Sequence, residues 1–515
     1  MTDKVYSLAK LLEGTGAKPI RAHRDTVAGI CTDSRLVREN ELFLCVRGLH
    51  HDGHTYAAEA VCGGASVVLA ERSDLPLLDE CDLWICPDAR LAEALVYDNL
   101  YDHPAAGMTA VAITGSNGKT STAYMLRTIL SAAGEKTGAI TTIGAFAGRE
   151  TIPCANGGTS LADTVGAMTT PDPAAFYGTI AQMRDRGCTH LVYEASSHAL
   201  DLRKTDAVRP SIAIFTGLDH EHLDYHGTMD AYFAAKSRLF GLLSPHSIRT
   251  GICNADDPYA ARLMAAHPDV LFRTCTSKEE RIAECDVTGL HCTCSAAGTG
   301  FLYYADDAIF RIRLPIPGRY TMYNAMEAAT AARILGVHPM EIRESLTAME
   351  PIPGRMERVP LGNVPYTAYI DYAHTPRAME ATLSTLRALT PAPTRLTAVF
   401  GCGGDRDPGK RAVMGKIAGA AADRVIVTND NPRTEDPAKI TADIVSGIPE
   451  GTAYTVIPER TEAIAYAVES AIPGEILVFL GKGHEKYEWI GMEKRPFDEK
   501  QTIIEAAGHH AGGTI

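Results

Sequence analysis

Short apolar runs alternate with stretches of helical periodicity along most of the chain. The run Met108–Thr114 (MTAVAIT) predicts a strand; a glycine-rich turn follows, and TSTAYMLRTILSAAG then continues with helical spacing. Further strand-like runs stand at His190–Glu194, Ser211–Phe215, Leu396–Phe400, Arg424–Thr428 and Glu475–Leu480, with helical stretches between them. Such alternation predicts parallel sheets in α/β domains. The N-terminal segment opens with an amphipathic helix pattern and continues with the apolar runs ELFLCVRG and ASVVLA, which read as a small α/β unit. Breaks in the pattern at His103–Gly107 and at Met349–Pro353, where MEPIPGR carries two prolines and a glycine, divide the chain into 1–104, 105–349 and 350–515.

Composition agrees with that division. The 515 residues suit about three domains, and 45% hydrophobic with 22% charged residues excludes a disordered, collagenous or coiled-coil chain. Lys+Arg 49 against Asp+Glu 63 gives −14, which argues against a general nucleic-acid or anionic-membrane binder but leaves room for a local anion site. The N-terminus lacks a signal-peptide core, and no stretch approaches the length of a membrane span. Thirteen scattered cysteines read as reduced thiols, so a cytoplasmic protein is expected. His291-Cys292-Thr293-Cys294 is metal-like only in appearance, because no second pair stands at zinc-finger spacing.

Candidate chemistry starts at Thr114-Gly115-Ser116-Asn117-Gly118-Lys119-Thr120-Ser121, between a strand and a helix. Glycines let backbone amides approach an anion, Lys119 supplies a charge for the β/γ-phosphates, and the Thr120 hydroxyl suits Mg²⁺. The standard phosphate loop has a glycine six residues before its lysine; here Ile113 stands there, and the bland alternative is a plain strand–turn–helix. Glu194 ends a strand, where ligands gather in open α/β sheets, and offers Mg²⁺ a carboxylate. His220, His222 and His226 fit a metal site or a surface loop equally well by spacing. On composition alone, Lys236 reads as a snorkelling lysine in a helix.

Read together, TGSNGKTS, YEASSHAL, HLDYHGTMDAYFAAK, YNAMEAATAA, PGRME, DYAHTP, GCGGDRDPGKR, TNDNPRTEDP and GKGHE resemble the Mur ligase family, the ATP-dependent amide-forming enzymes of peptidoglycan precursor synthesis. The resemblance covers nearly the whole chain. It implies an α/β architecture of three domains: an N-terminal UDP-sugar domain, a central P-loop-type ATPase and a C-terminal Rossmann-like domain that brings the amino acid. It implies that Thr120 and Glu194 hold one Mg²⁺, and that Lys236, carbamylated to a carboxylate-like group, holds a second with His222. Asn324, Arg355, Asp371 and His374 match positions around the nucleotide, although Asn324 alone would also read as a polar residue at a helix start. Ser34 in TDSR, with Leu49, His50 and His51, matches the UDP-binding segment, where an ordinary Asx turn is the alternative. Thr169, Thr170, Ser196 and Arg203 match contacts to the muramoyl dipeptide; relative to the longer form of the family one residue is missing between His198 and Arg203, which weakens that match.

The last three motifs point to the amino-acid substrate. Arg433, in the Pro-stiffened loop Asp430-Asn431-Pro432-Arg433, suits bidentate capture of a carboxylate, with Arg406 as a second cation. Gly481 and Glu485 offer a carbonyl and a carboxylate to an ammonium. Two cations and one anion suit meso-diaminopimelate, which L-lysine matches less well for want of the distal carboxylate. The expected reaction is ATP-dependent addition of meso-diaminopimelate to UDP-N-acetylmuramoyl-L-alanyl-D-glutamate by a monomer acting on small molecules. L-lysine addition and folylpolyglutamate-type ligation are the alternatives.

Overall fold

The computed structural model describes residues 5–48, 51–77, 81–154, 169–247, 249–390 and 393–512, with side chains as far as 508. Three principal sheets follow one another along the chain. The first has five strands in the order Lys18–Arg21, Asp82–Ile85, Ala65–Ala70, Glu41–Leu44 and Gly29–Cys31, parallel except for the first. The expected N-terminal helix is a single turn, Leu8–Leu11. Its two buried leucines are followed by the glycine-punctuated EGTG, which gives a longer helix nothing to bury.

The middle sheet has eleven strands. Its parallel centre runs Thr137–Thr141, His190–Glu194, Thr109–Thr114, Ile212–Phe215, Thr250–Asn254 and Leu271–Thr276. Val287–Ser295 adds a further parallel strand beside Leu271–Thr276, and antiparallel strands extend both ends: Gly144–Ala147 and Glu150–Ile152 on one side, Gly298–Ala305 and Ala308–Leu314 on the other. The central strands are apolar at nearly every position because helices cover both faces of a parallel sheet. Helix Lys119–Ala132 leaves the strand Thr109–Thr114, and helix Arg319–Ile334 packs against it. The buried alanines 325, 328, 329 and 332 allow that close approach.

In the third sheet the strands Thr367–Asp371, Ile476–Leu480, Leu396–Phe400, Arg424–Val427 and Tyr454–Val456 are parallel, and Glu357–Arg358 pairs antiparallel at one edge. One apolar cluster runs from Val111 and Leu126 through Met326 to Tyr369 and Leu396, so the second and third sheets share a continuous core. Among the described residues, no helix is long and apolar enough to cross a membrane.

Candidate active site

Strand Thr109–Thr114 has the later strand Ile212–Phe215 on one side and His190–Glu194 on the other, a point where the winding of the sheet reverses. The loops leaving the carboxyl ends of these three strands therefore gather at one place. They carry the glycine-rich loop, the Glu194–His198 segment and the Thr216–His222 segment.

Gly118 has φ +88° and caps helix Lys119–Ala132; a Cβ there would lie 2.5 Å from the Asn324 Oδ1. Asn324 thus acts from the middle of helix Arg319–Ile334, not from its start, because Tyr320–Tyr323 already continue the helix. The Lys119 ammonium donates to the Gly115 and Ser116 carbonyls at 2.9 and 2.8 Å. Desolvation pulls its pKa below the ordinary lysine value, against the raising effect of Glu194. The Ser116 hydroxyl meets Tyr232 Oη at 2.9 Å and accepts from the Asp219 amide, which shapes the loop. Thr216 Oγ1 donates to the Asn117 carbonyl, and Ser121 lies in the first turn of the helix.

Beside this loop, Glu194 is fully buried and accepts from the amide and hydroxyl of Thr142 at 2.7 and 3.1 Å. Thr120 Oγ1 lies 3.4 Å from the Thr142 hydroxyl and accepts from Arg355 at 3.1 Å. Thr120, Thr142 and Glu194 form a row of hard oxygen donors, the donor type that Mg²⁺ prefers.

Lys236 is 1% exposed and donates to the same Gly115 carbonyl at 2.7 Å. Burial, and then Lys119, push its pKa well below the ordinary lysine value, which favours the neutral, nucleophilic amine. His222 has φ +57°; its ring centroid is 4.8 Å from that of His198 and 5.9 Å from that of Tyr232. Burial followed by His198 and Lys236 lowers the His222 pKa to about 3, so its imidazole is neutral and suited to ligating a metal. His220 is exposed, and His226 packs on Tyr225 and Tyr232. Among the described residues, no three His, Cys, Asp or Glu side chains converge as a metal cluster. Glu221 Oε1 lies 3.7 Å from His222 Nε2.

The matched dipeptide residues fall into two groups. Thr170 Oγ1 donates to the Glu194 carbonyl at 2.8 Å and accepts from the Ser196 amide; Ser196 Oγ caps the next helix, and Thr169 adjoins them. Arg203, at φ +56°, reaches Asp88 of the first unit at 2.8 Å and Asp206 at 3.5 Å, so it ties two units together. Ser34 lies in a loop where Asp33 accepts from the Arg35 amide, the Asx geometry given above as the alternative, and His51 is exposed with Tyr56 at 3.3 Å. Leu49 and His50 lie outside the described residues.

From the third sheet, Arg355 covers the Tyr372 ring at 4.7 Å while it reaches Thr120. His374 Nε2 lies 3.8 Å from Glu221, and Arg377 lies 3.5 Å from Asp219. Asp371 faces inward: its oxygens accept from the Met356 and Ala373 amides and from Thr382, which fixes the hinge that carries Arg355. The His484 ring lies tilted against Tyr372, with centroids 5.0 Å apart, and contacts the backbone of Thr142.

The residues expected to receive the amino acid gather at the carboxyl ends of strands Arg424–Val427 and Ile476–Leu480. Arg433, at φ +52°, donates to the Gly404 carbonyl at 2.6 Å and lies over Trp489 at 5.2 Å; burial, and then Arg406, disfavour its charge. Asn431 Nδ2 donates to Glu485 at 2.8 Å. Gly481 leaves no room for a side chain: a Cβ would lie 2.6 Å from Asp430 Oδ2. Pro432 stiffens the turn. Four residues here were not read from the sequence: Thr142, Lys482, His484 and Trp489. Thr142 follows a strand end, which is a weak signal. Lys482 and His484 sit inside the GKGHE segment that was singled out for its other residues.

A phosphate loop on one domain, covered by the arginine of a second domain that also holds a charged pocket, is the arrangement of an ATP-dependent ligase. The chain belongs to the Mur ligase family. Residues 113–332 match the Mur ligase middle domain, 354–483 the Mur ligase glutamate ligase domain, and 26–96 the Mur ligase family catalytic domain. The chain is 36% identical over 482 residues to the UDP-N-acetylmuramoyl-L-alanyl-D-glutamate–2,6-diaminopimelate ligase of Syntrophomonas wolfei subsp. wolfei, covering 93% of this chain and 94% of the relative. The ligase of the same name from Chlorobaculum tepidum is 37% identical over 509 residues, 98% of this chain and 96% of the relative. A solved structure of a ligase with that name superposes with a TM-score of 0.66 at 28% identity, covering 99% of this chain and 100% of that one.

Proposed function

We propose that this chain is the ATP-dependent ligase that joins meso-diaminopimelate to the γ-carboxyl of UDP-N-acetylmuramoyl-L-alanyl-D-glutamate in peptidoglycan precursor synthesis. In this reading 1–104 binds the UDP-sugar, 105–349 binds ATP and 350–515 brings the amino acid. One observation carries it: the loop 481–485 supplies Glu485 to the Arg433 pocket and His484 to Thr142, the residue that clamps Glu194. One short loop thus touches both groups of candidate residues, which supports a shared reaction site.

The D-glutamyl γ-carboxylate attacks the γ-phosphate of ATP, giving an acyl phosphate and ADP. The amine of diaminopimelate then attacks the acyl carbon, and the tetrahedral intermediate collapses to amide and phosphate. Lys119 leaves the loop carbonyls for the phosphate oxygens, and the Gly115–Ser121 amides hold them. Arg355 and His374, brought by the third domain, line the nucleotide side with Asn324, and Asp371 holds the turn that carries Arg355 from behind. Thr169, Thr170, Ser196 and Arg203 orient the dipeptide; Ser34, Leu49, His50 and His51 hold the uridine diphosphate. Arg406, Asp430, Asn431, Pro432, Arg433, Gly481 and Glu485 receive diaminopimelate. Thr120 and Glu194 would hold one Mg²⁺, and His222 with carbamylated Lys236 a second. Bound there, Mg²⁺ neutralises charge on the transferring phosphoryl group. Closure of the third domain over the loop excludes water that would hydrolyse the acyl phosphate.

Phosphate release tests the reading, with ATP, Mg²⁺, the UDP-dipeptide and one amino acid at a time. Release should require both the dipeptide and diaminopimelate. Faster turnover with lysine would replace the substrate assignment, and turnover with a folate would replace the branch of the family.

A further inference from the structure

Beneath the amino-acid pocket lies a cation that the reaction as described does not use. The Lys482 side chain is 0% exposed. Its ammonium donates to Asn431 Oδ1 at 2.6 Å and to the Tyr487 carbonyl at 2.9 Å, and lies 3.5 Å from Asp430 and 4.0 Å from Glu485. The Trp489 amide donates to the same Asn431 oxygen at 2.9 Å. With two donors on its oxygen, the Asn431 amide has one orientation, and Nδ2 must face Glu485. Asp430 Oδ1 is buried and faces the Lys482 ammonium at 3.5 Å without a hydrogen bond, which leaves it free to accept from a ligand donor.

We propose that Lys482 is a positioning residue for the amino-acid substrate: its buried ammonium locks the Asn431 amide and offsets one of the two carboxylates, leaving the pocket one net negative charge for one ammonium. The charges are Asp430 −1, Glu485 −1 and Lys482 +1, while Arg433 and Arg406 take the ligand carboxylate. The inference rests on the diaminopimelate reading above.

The pocket should respond to pH through Glu485. Burial, and then Asp430, raise its pKa to about 7, while Lys482, the Asn431 bond and Arg433 lower it. Tyr487 and Tyr372 also face it, and Arg460 lies behind Asp430. Only the carboxylate pairs with the substrate ammonium, so the KM for diaminopimelate flattens above about pH 8 and rises as pH falls through 7. In Lys482→Gln the cation is gone, and the inflection should move up by about one pH unit. At pH 7.5 that change alone reduces the ionised fraction about threefold. Lys482→Met also frees the Asn431 amide and should raise this KM by more than roughly tenfold.

The experiment measures KM for diaminopimelate, ATP and the UDP-dipeptide from pH 6 to 9 in the full-length wild type and both variants. Support would be a rise confined to diaminopimelate together with an upward shift of its inflection. An unshifted inflection, or a loss of kcat with all three KM values unchanged, would overturn the proposal. If Lys482→Met fails to fold, Lys482→Gln and the wild-type profile still decide it, since a wild-type KM with no inflection between pH 6 and 8.5 also overturns it. Wild-type protein that does not turn over diaminopimelate at all would instead refute the substrate reading.

Discussion

Replacing Arg433 with alanine tests the proposal that this pocket reads a substrate with two carboxylates. The guanidinium lies where burial and Arg406 both oppose its charge, with Asp430 and Glu485 as partial compensation. A ligand carboxylate entering between the two arginines relieves that opposition. Hydrogen bonds to charged groups contribute about 1.5–3 kcal/mol each, and a bidentate clamp has two. Because Arg406 remains, the net loss should be about 3 kcal/mol, or about 100-fold in kcat/KM for diaminopimelate. L-lysine has no distal carboxylate, so its kcat/KM should change less than about threefold. Initial rates of ADP release with each amino acid give the ratio directly. If Arg433→Ala slowed both substrates equally, the guanidinium would be holding the Gly404 loop and not reading the ligand.

Three further outcomes follow from other parts of the molecule. Lys236→Ala should lose nearly all ADP release and regain part of it with added short carboxylic acids; full activity without them would remove the carbamate. Gly118→Ala, at φ +88° with Asn324 2.5 Å from the new Cβ, should raise the KM for ATP and leave thermal stability of the third domain unchanged, which nucleotide titration and calorimetry check together. Arg460 and Glu499 form a fully buried pair, Nη2 to Oε1 at 2.5 Å, joining helix Arg460–Glu469 to the C-terminal helix. Glu499→Ala strands that cation, and urea unfolding should show a loss of about 3–5 kcal/mol in the third domain; a change under about 1 kcal/mol would contradict the importance given to the pair.

The central parallel strands were legible because a strand covered on both faces is a continuous apolar run, as in Thr109–Thr114 and Leu396–Phe400. The hairpin strands from Val287 to Leu314 were not read. Gly298–Ala305 and Ala308–Leu314 alternate buried and less buried positions, and polar residues interrupt each run. The phosphate loop was legible from its glycines, but the direction of Lys119, onto its own loop carbonyls, was not. Asn324 shows why: its role comes from meeting Gly118 across two packed helices, a contact that no local spacing encodes. Lys482 escaped notice for the same reason, since a buried lysine looks like a surface one until Asn431, Asp430 and Glu485 are folded around it. Asp371 was expected to face the nucleotide, yet its oxygens satisfy backbone amides released where strand Thr367–Asp371 ends.

The most direct test supplies the protein with ATP, Mg²⁺, equimolar meso-diaminopimelate and L-lysine, and UDP-N-acetylmuramoyl dipeptide carrying ¹⁸O in the D-glutamyl γ-carboxylate, and reads product and phosphate by mass spectrometry. The account predicts the diaminopimelate adduct as the main product and one ¹⁸O transferred to each phosphate released. A mainly lysine adduct, or phosphate without ¹⁸O, would contradict it.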